Sequence, residues 1–98
     1  MAPKLLSAGE INAQLDGLPG WHLEDNKLAR EFKFSDFLEA FSFMTELALL
    51  SERLNHHPEW SNVYNTVKIH LMTHDAGGVS EKDIDWAIQC NQRYNQHL

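Results

Sequence analysis

Residues 36–54 carry more apolar side chains around their circumference than a helix lying on one sheet can bury. At about 100° per residue, Phe37, Ala40, Phe41, Phe43, Met44, Leu47, Ala48, Leu50 and Leu54 cover about half of the helix. Leu38 and Leu49 lie outside that arc, on the otherwise polar side. Ser35 is placed to cap the N-terminus. A chain of 98 residues, read as one small domain over 1–98, has too little other structure to wrap such a helix. The surplus predicts two contacts, one with a sheet of the same chain and one with another subunit.

The remaining elements follow from local signals. Ser7 and Glu10 form a capping box ahead of Ile11, Leu15 and Leu18, and Pro19-Gly20 stops that first helix. Residues 21–24 and 28–34 alternate apolar and polar around Asp25-Asn26, which predicts a β-hairpin. A second hairpin is expected over 60–74, with Val67, Ile69 and Leu71 on one face and Lys68, His70 and Met72 on the other. Its turn is Asn65-Thr66 or Tyr64-Asn65. Gly77-Gly78 breaks the chain, and Ser80 with Asp83 caps a third helix whose apolar face holds Ile84, Ala87, Ile88 and Tyr94. Residues 1–6 and 95–98 read as loose ends. The order α-β-β-α-β-β-α predicts an α+β fold, with helices on one face of an antiparallel sheet and the other face wet or used for assembly.

Composition narrows the function. Acids outnumber bases 14 to 8, so the basic footprint for direct nucleic-acid binding is missing. There is no apolar run long enough for a membrane span, and 1–6 is too short and polar for a signal peptide. One cysteine, Cys90, excludes an internal disulfide and a cysteine-based zinc knuckle. A soluble cytoplasmic protein is expected, with Cys90 an inert helical residue.

Six histidines are the residues left to explain. His56-His57-Pro58-Glu59-Trp60 joins the long helix to the second hairpin, and His74 sits at the hairpin's far end. One turn places His57 opposite His74, the other opposite Met72; either way the imidazoles share one region, and Trp60 joins the apolar face. Three clustered imidazoles suit proton transfer or a zinc site, or are merely neighbouring loop residues. His70, about 13 Å along the strand from His74, reads as surface or interface. His22 and His97 read as solvated.

Glu52-x-x-x-His56-His57-Pro58-Glu59-Trp60, Tyr64-Asn65, Leu71-x-Thr73-His74 and Gly78-Val79-Ser80-x-x-Asp83 together resemble the pterin-4a-carbinolamine dehydratase family. The resemblance runs from about Ser7 to Ile88 and includes Trp21 and the Phe41-x-Phe43-Met44 stretch. It implies three helices on one face of a four-stranded antiparallel sheet. It also implies a homodimer or homotetramer joined through sheet edges and long helices, and dehydration of a 4a-hydroxytetrahydropterin. In animals the same family also serves as a dimerisation cofactor of a homeodomain factor, and the alternative is a partner-binding module whose association surface would be Phe43, Leu47, Leu50 and Leu54 of the long helix. His56, His57 and His74 would line the pterin pocket, with His56 and His74 as the proton-transfer pair and His57 mainly holding the substrate. Glu52, Pro58, Trp60, Thr73, Asp83 and Trp21 are the further candidates for the site. Glu52 is placed to orient an imidazole, and Asp83 to cap a helix, bond a site group, or both. Trp21 and Trp60 are core or pocket wall. Gly77-Gly78 would either offer backbone amides to the ligand or simply turn the chain. No metal or organic cofactor is required, because the substrate's own nitrogen pushes the hydroxyl out.

Overall fold

A computed structural model describes residues 3–98. Among them are three α-helices, α1 (Ala8–Leu15), α2 (Phe37–Leu54) and α3 (Glu81–Asn95), and four strands, β1 (His22–Glu24), β2 (Lys27–Lys33), β3 (Glu59–Val63) and β4 (Thr66–Leu71). The order is the expected α-β-β-α-β-β-α, and the strands form one antiparallel sheet in the order β1-β2-β4-β3.

Asp25 and Asn26, at φ 52° and 62°, make the tight turn between β1 and β2. The second hairpin turns at Tyr64-Asn65, so Val63 pairs with Thr66 and Trp60 with Ile69. One face of the sheet presents Leu28, Phe32, Val67, Ile69 and Leu71, and the core gathers there. Ile11 of α1, Phe43, Leu47 and Leu50 of α2, and Ile84, Trp86 and Cys90 of α3 complete it. Each such fully buried large apolar side chain contributes about 1.5–3 kcal/mol. The outer face is polar: His22, Ala29, His70 and Glu59 form one row across it. Hydrogen bonds from His70 and His22 hold the Glu24 carboxyl below the usual range, and one from Lys27 does the same for Glu59.

Several expectations need correction. Asp36, not Ser35, caps α2: its carboxylate accepts the Glu39 N–H at 2.9 Å. Leu18 lies beyond α1, in the turn that follows it. β4 ends at Leu71, and His74–Ala76 form a 3-10 turn instead of more strand. On α3, Ile88 faces outward and Trp86 is fully buried, because 86 and not 88 turns towards α2. Met1 and Ala2 of the expected loose start lie outside the described residues. Within its remainder Leu6 is buried, and its N–H bonds the Val79 carbonyl at 2.9 Å. The C-terminal end is held too. His97 donates from Nδ1 to Glu39 (3.0 Å) and from Nε2 to Glu46 (2.5 Å), and packs edge-on against Phe34 and Phe43. Burial works against charge on that ring, but the two carboxylates outweigh it and raise its pKa. His97 is therefore not the solvated residue expected from its place near the end of the chain.

The long helix is apolar on two faces. Ala40, Phe43, Leu47 and Leu50 enter the core. Phe37, Phe41, Leu38 and Leu49 spread over about 120° of the opposite side and are exposed, Leu38 by 72% and Leu49 by 69%.

Candidate active site

The end of α2 sets the position of the histidines. Asn55 adopts the left-handed conformation (φ 50°, ψ 46°), which asparagine tolerates, and its N–H bonds the Glu52 carbonyl. The His56 N–H reaches back to the Ser51 carbonyl at 3.0 Å. This pair of bonds is a Schellman motif, and Pro58 follows where a helix cannot continue. β3 then starts at Glu59, so His57 precedes the ladder and pairs with neither Met72 nor His74.

The other wall comes from the loop after β4. Thr73 and Gly78 bridge, and the Thr73 N–H bonds the Gly78 carbonyl at 2.7 Å. Between them, the 3-10 turn carries His74 and Asp75. The amides of Gly77 and Gly78 are spent on carbonyls of Thr73 and His74, so they close the turn and are not free for a ligand. A Cβ at Gly78 would meet Leu5 Cδ1 at 2.8 Å, which excludes a side chain there without movement.

His56, His57 and His74 line one open depression of about 340 Å³, together with Asn55, Met72, Thr73, Asp75 and Lys82. That is within the usual range of small-molecule sites, about 300–1,000 Å³. His56 is buried, and its Nε2–H donates to Asp83 Oδ1 at 2.5 Å. Asp83 Oδ2 accepts from Thr73 Oγ1 (2.8 Å) and from the Ser80 N–H (2.9 Å). Ser80 Oγ in turn donates to Thr73 Oγ1 at 2.6 Å. Asp83 thus caps α3 and orients a site histidine at once. In a neutral His56 ring with its proton on Nε2, the lone pair is on Nδ1. Among the described residues, the only buried side-chain nitrogen or oxygen lacking a partner is Arg93 Nε, so His56 Nδ1, which has no protein partner, reaches solvent.

Glu52 does orient an imidazole, but that of His57 and not of His56, one helical turn on: Nε2 and Oε2 are 2.5 Å apart in an exposed pair. Among the described residues, none hydrogen-bonds the His74 ring. Trp21 lies outside the depression; it is buried against Phe32 with its indole N–H on Asn91 Oδ1 at 2.8 Å. Trp60 packs against the core from β3, and Pro58 serves the entry to that strand. Sequence reasoning missed Asn55, Met72, Asp75 and Lys82. An asparagine just before His56 and a proline two residues after it were the available signals for the first of these. Among the described residues no group of three His, Cys, Asp or Glu side chains is arranged to hold a metal ion.

Fold and site together define a small α+β protein with three histidines around one open depression. The family model described as Pterin 4 alpha carbinolamine dehydratase matches residues 4–93, and the chain belongs to that family. A Prochlorococcus marinus (strain MIT 9303) protein provisionally named pterin-4-alpha-carbinolamine dehydratase is 50% identical over 91 residues, covering 93% of this chain and 95% of the relative. A Rhizobium etli protein with the same provisional name is 51% identical over 89 residues, 89% of this chain and 88% of its own. The crystal structure of a transcriptional coactivator/pterin dehydratase from Brucella melitensis superposes with a TM-score of 0.88 at 45% identity, over 91% of this chain and 97% of that one. A pterin dehydratase-like protein described as a RuBisCO assembly factor in the alpha-carboxysome shares the fold, with a TM-score of 0.63 at 23% identity over 76% of this chain and 86% of that one.

Proposed function

We propose that residues 1–98 act as one domain that removes water from a 4a-hydroxytetrahydropterin to give a quinonoid dihydropterin. The observation that carries this reading is the convergence of His56, His57 and His74 on one depression, with His56 oriented by Asp83. In a carbinolamine, a hydroxyl and an amine nitrogen share one carbon. As the C–O bond breaks, the nitrogen lone pair forms the C=N bond. Protonated His74 gives its proton to the departing oxygen, which leaves as water. His56 Nδ1 takes the proton from the nitrogen. Exchange with solvent resets both rings. Each positioned proton-transfer group supplies a factor of about 10²–10⁴. His57, steadied by Glu52, holds the pterin. The reaction needs no metal or organic cofactor, since the electron push is internal to the substrate.

The test is to mix the protein with freshly generated 4a-hydroxytetrahydropterin and follow ultraviolet absorbance. Decay faster than the buffer rate supports the reading; decay at the buffer rate sinks it.

The active form in this reading is a cytoplasmic homodimer or homotetramer. Its support is the second apolar face of α2, which a second copy would cover. The alternative, a module that stabilises a partner's dimer through α2, draws on the same face. Its surface is Phe37, Leu38, Phe41 and Leu49; Phe43, Leu47 and Leu50, the expected association residues, are consumed by the protein's own core, and Leu54 packs partly against it.

A further inference from the structure

Four residues close a polar circuit between the end of α2 and the start of α3. The Trp86 indole N–H donates to Ser51 Oγ at 3.1 Å. Ser51 accepts the His56 N–H on its carbonyl at 3.0 Å. His56 reaches Asp83 at 2.5 Å, and Asp83 lies one helical turn before Trp86. All four side chains are buried.

We propose that Ser51 and Trp86 are positioning residues for His56, acting as a strut that fixes how the Asp83-bearing turn of α3 faces the His56-bearing end of α2. The proposal rests on the proton-transfer reading of His56.

The physical need is angular. Helices packed through apolar side chains alone settle with a scatter of about 15–20° in crossing angle. A hydrogen bond weakens steeply as it departs from linearity, so a second bond near the first restrains both roll and slide. A displacement of about 1 Å at a catalytic group costs up to about 10²-fold in rate. Ser51 is also a poor choice for a buried helix position on its own account. Its hydroxyl back-bonds the Leu47 carbonyl at 2.7 Å, an arrangement that slightly disfavours the helix. That same bond leaves the oxygen's lone pairs for the indole donor. An apolar pair would fill this space but would give no direction to the helix that carries Asp83.

Ser51→Ala removes the acceptor, and the first reading is the imidazole Nε2–H proton resonance of His56, with the His97 ring protons as an internal control. The expected result is an upfield shift or exchange loss of the His56 signal with the His97 signals unmoved. The second reading is kinetic: kcat falls about tenfold, KM stays within about twofold, and the His56 limb of the pH–rate profile moves. A folded Ser51→Ala protein with the His56 resonance and the pH profile unchanged overturns the proposal. Should Ser51→Ala not fold, Trp86→Phe, which removes the donor and keeps an aromatic ring, carries the same readings. If neither folds, the pair is a folding determinant and the positioning role is overturned. The resonance is read without substrate, so a protein inactive towards the carbinolamine refutes the dehydratase reading alone and leaves the strut to be judged by its spectrum.

Discussion

Asp83 Oδ1 stands 2.5 Å from His56 Nε2, although 27 residues separate them in the chain. The contact decides which ring nitrogen carries the proton, because the other carboxylate oxygen is already filled by Thr73 and Ser80. Asp83→Asn reverses that choice. Its amide N–H would donate to Nε2 and push the imidazole proton to Nδ1, or it would turn round and face the Ser80 N–H with a second donor. The expected loss in kcat is about 10²-fold or more. The expected loss in stability is about 1 kcal/mol, since the helix cap is weakened as well. Steady-state kinetics and thermal melting check the two together.

The three histidines should separate kinetically. His56→Ala and His74→Ala are each expected to lower kcat by about 10²–10⁴-fold. His57→Ala acts mainly on KM. Glu52→Gln has a small effect, because an exposed ion pair is worth about 0–1 kcal/mol. Equal kcat losses at all three positions would contradict this division of roles.

The His97 clamp gives stability a pH dependence of known sign. Its folded pKa is raised by Glu39 and Glu46 against the opposing effect of burial, and Arg93 also approaches Glu46, at 3.9 Å. The stabilisation is complete below the unfolded value, about 6.5, and disappears as pH rises through the raised folded value. Melting temperatures of the wild type and His97→Gln should therefore differ more at pH 6 than at pH 9. A gap that widens with pH would mean that the carboxylates do not charge this ring.

Phe41→Glu or Leu49→Glu places a charge on the exposed face of α2. Either change should reduce the mass of an assembled species in sedimentation while leaving the His56–Asp83 contact intact. Leu50→Glu is a different experiment. Leu50 is buried against the sheet, and an unpaired charge there should cost about 4 kcal/mol or more and unfold the chain.

Cys90 lies in the core, and burial pushes its thiol far above the ordinary range. An alkylating reagent at pH 8 should leave the native protein unlabelled and modify it only after unfolding. Rapid native labelling would show that α3 opens locally.

Element order, both hairpins and both capping boxes were legible because each depends on residues close in sequence. The apolar side of Trp60 also followed, since both candidate registers put it there, whereas its partner, Ile69 and not Leu71, was fixed only by the turn at Tyr64-Asn65. What was not legible depends on contacts between distant segments. Glu52 sits four residues before His56, as helical spacing favours, yet Asn55 turns left-handed and the carboxylate meets His57 instead. Trp21 read as core or pocket wall until Asn91, 70 positions away, supplied its partner. The half-circumference of apolar residues on α2 was readable as an excess. Which half faces inward was not, because helical periodicity has no origin until the sheet supplies one.

The shared carboxylate at position 83 ties the site to the integrity of a helix end. Loosening the first turn of α3, by warming or by mild denaturant, would release the imidazole as well. Loss of turnover should then precede loss of the sheet's signal, giving a thermal cut-off to activity set by one turn of helix rather than by the global melt.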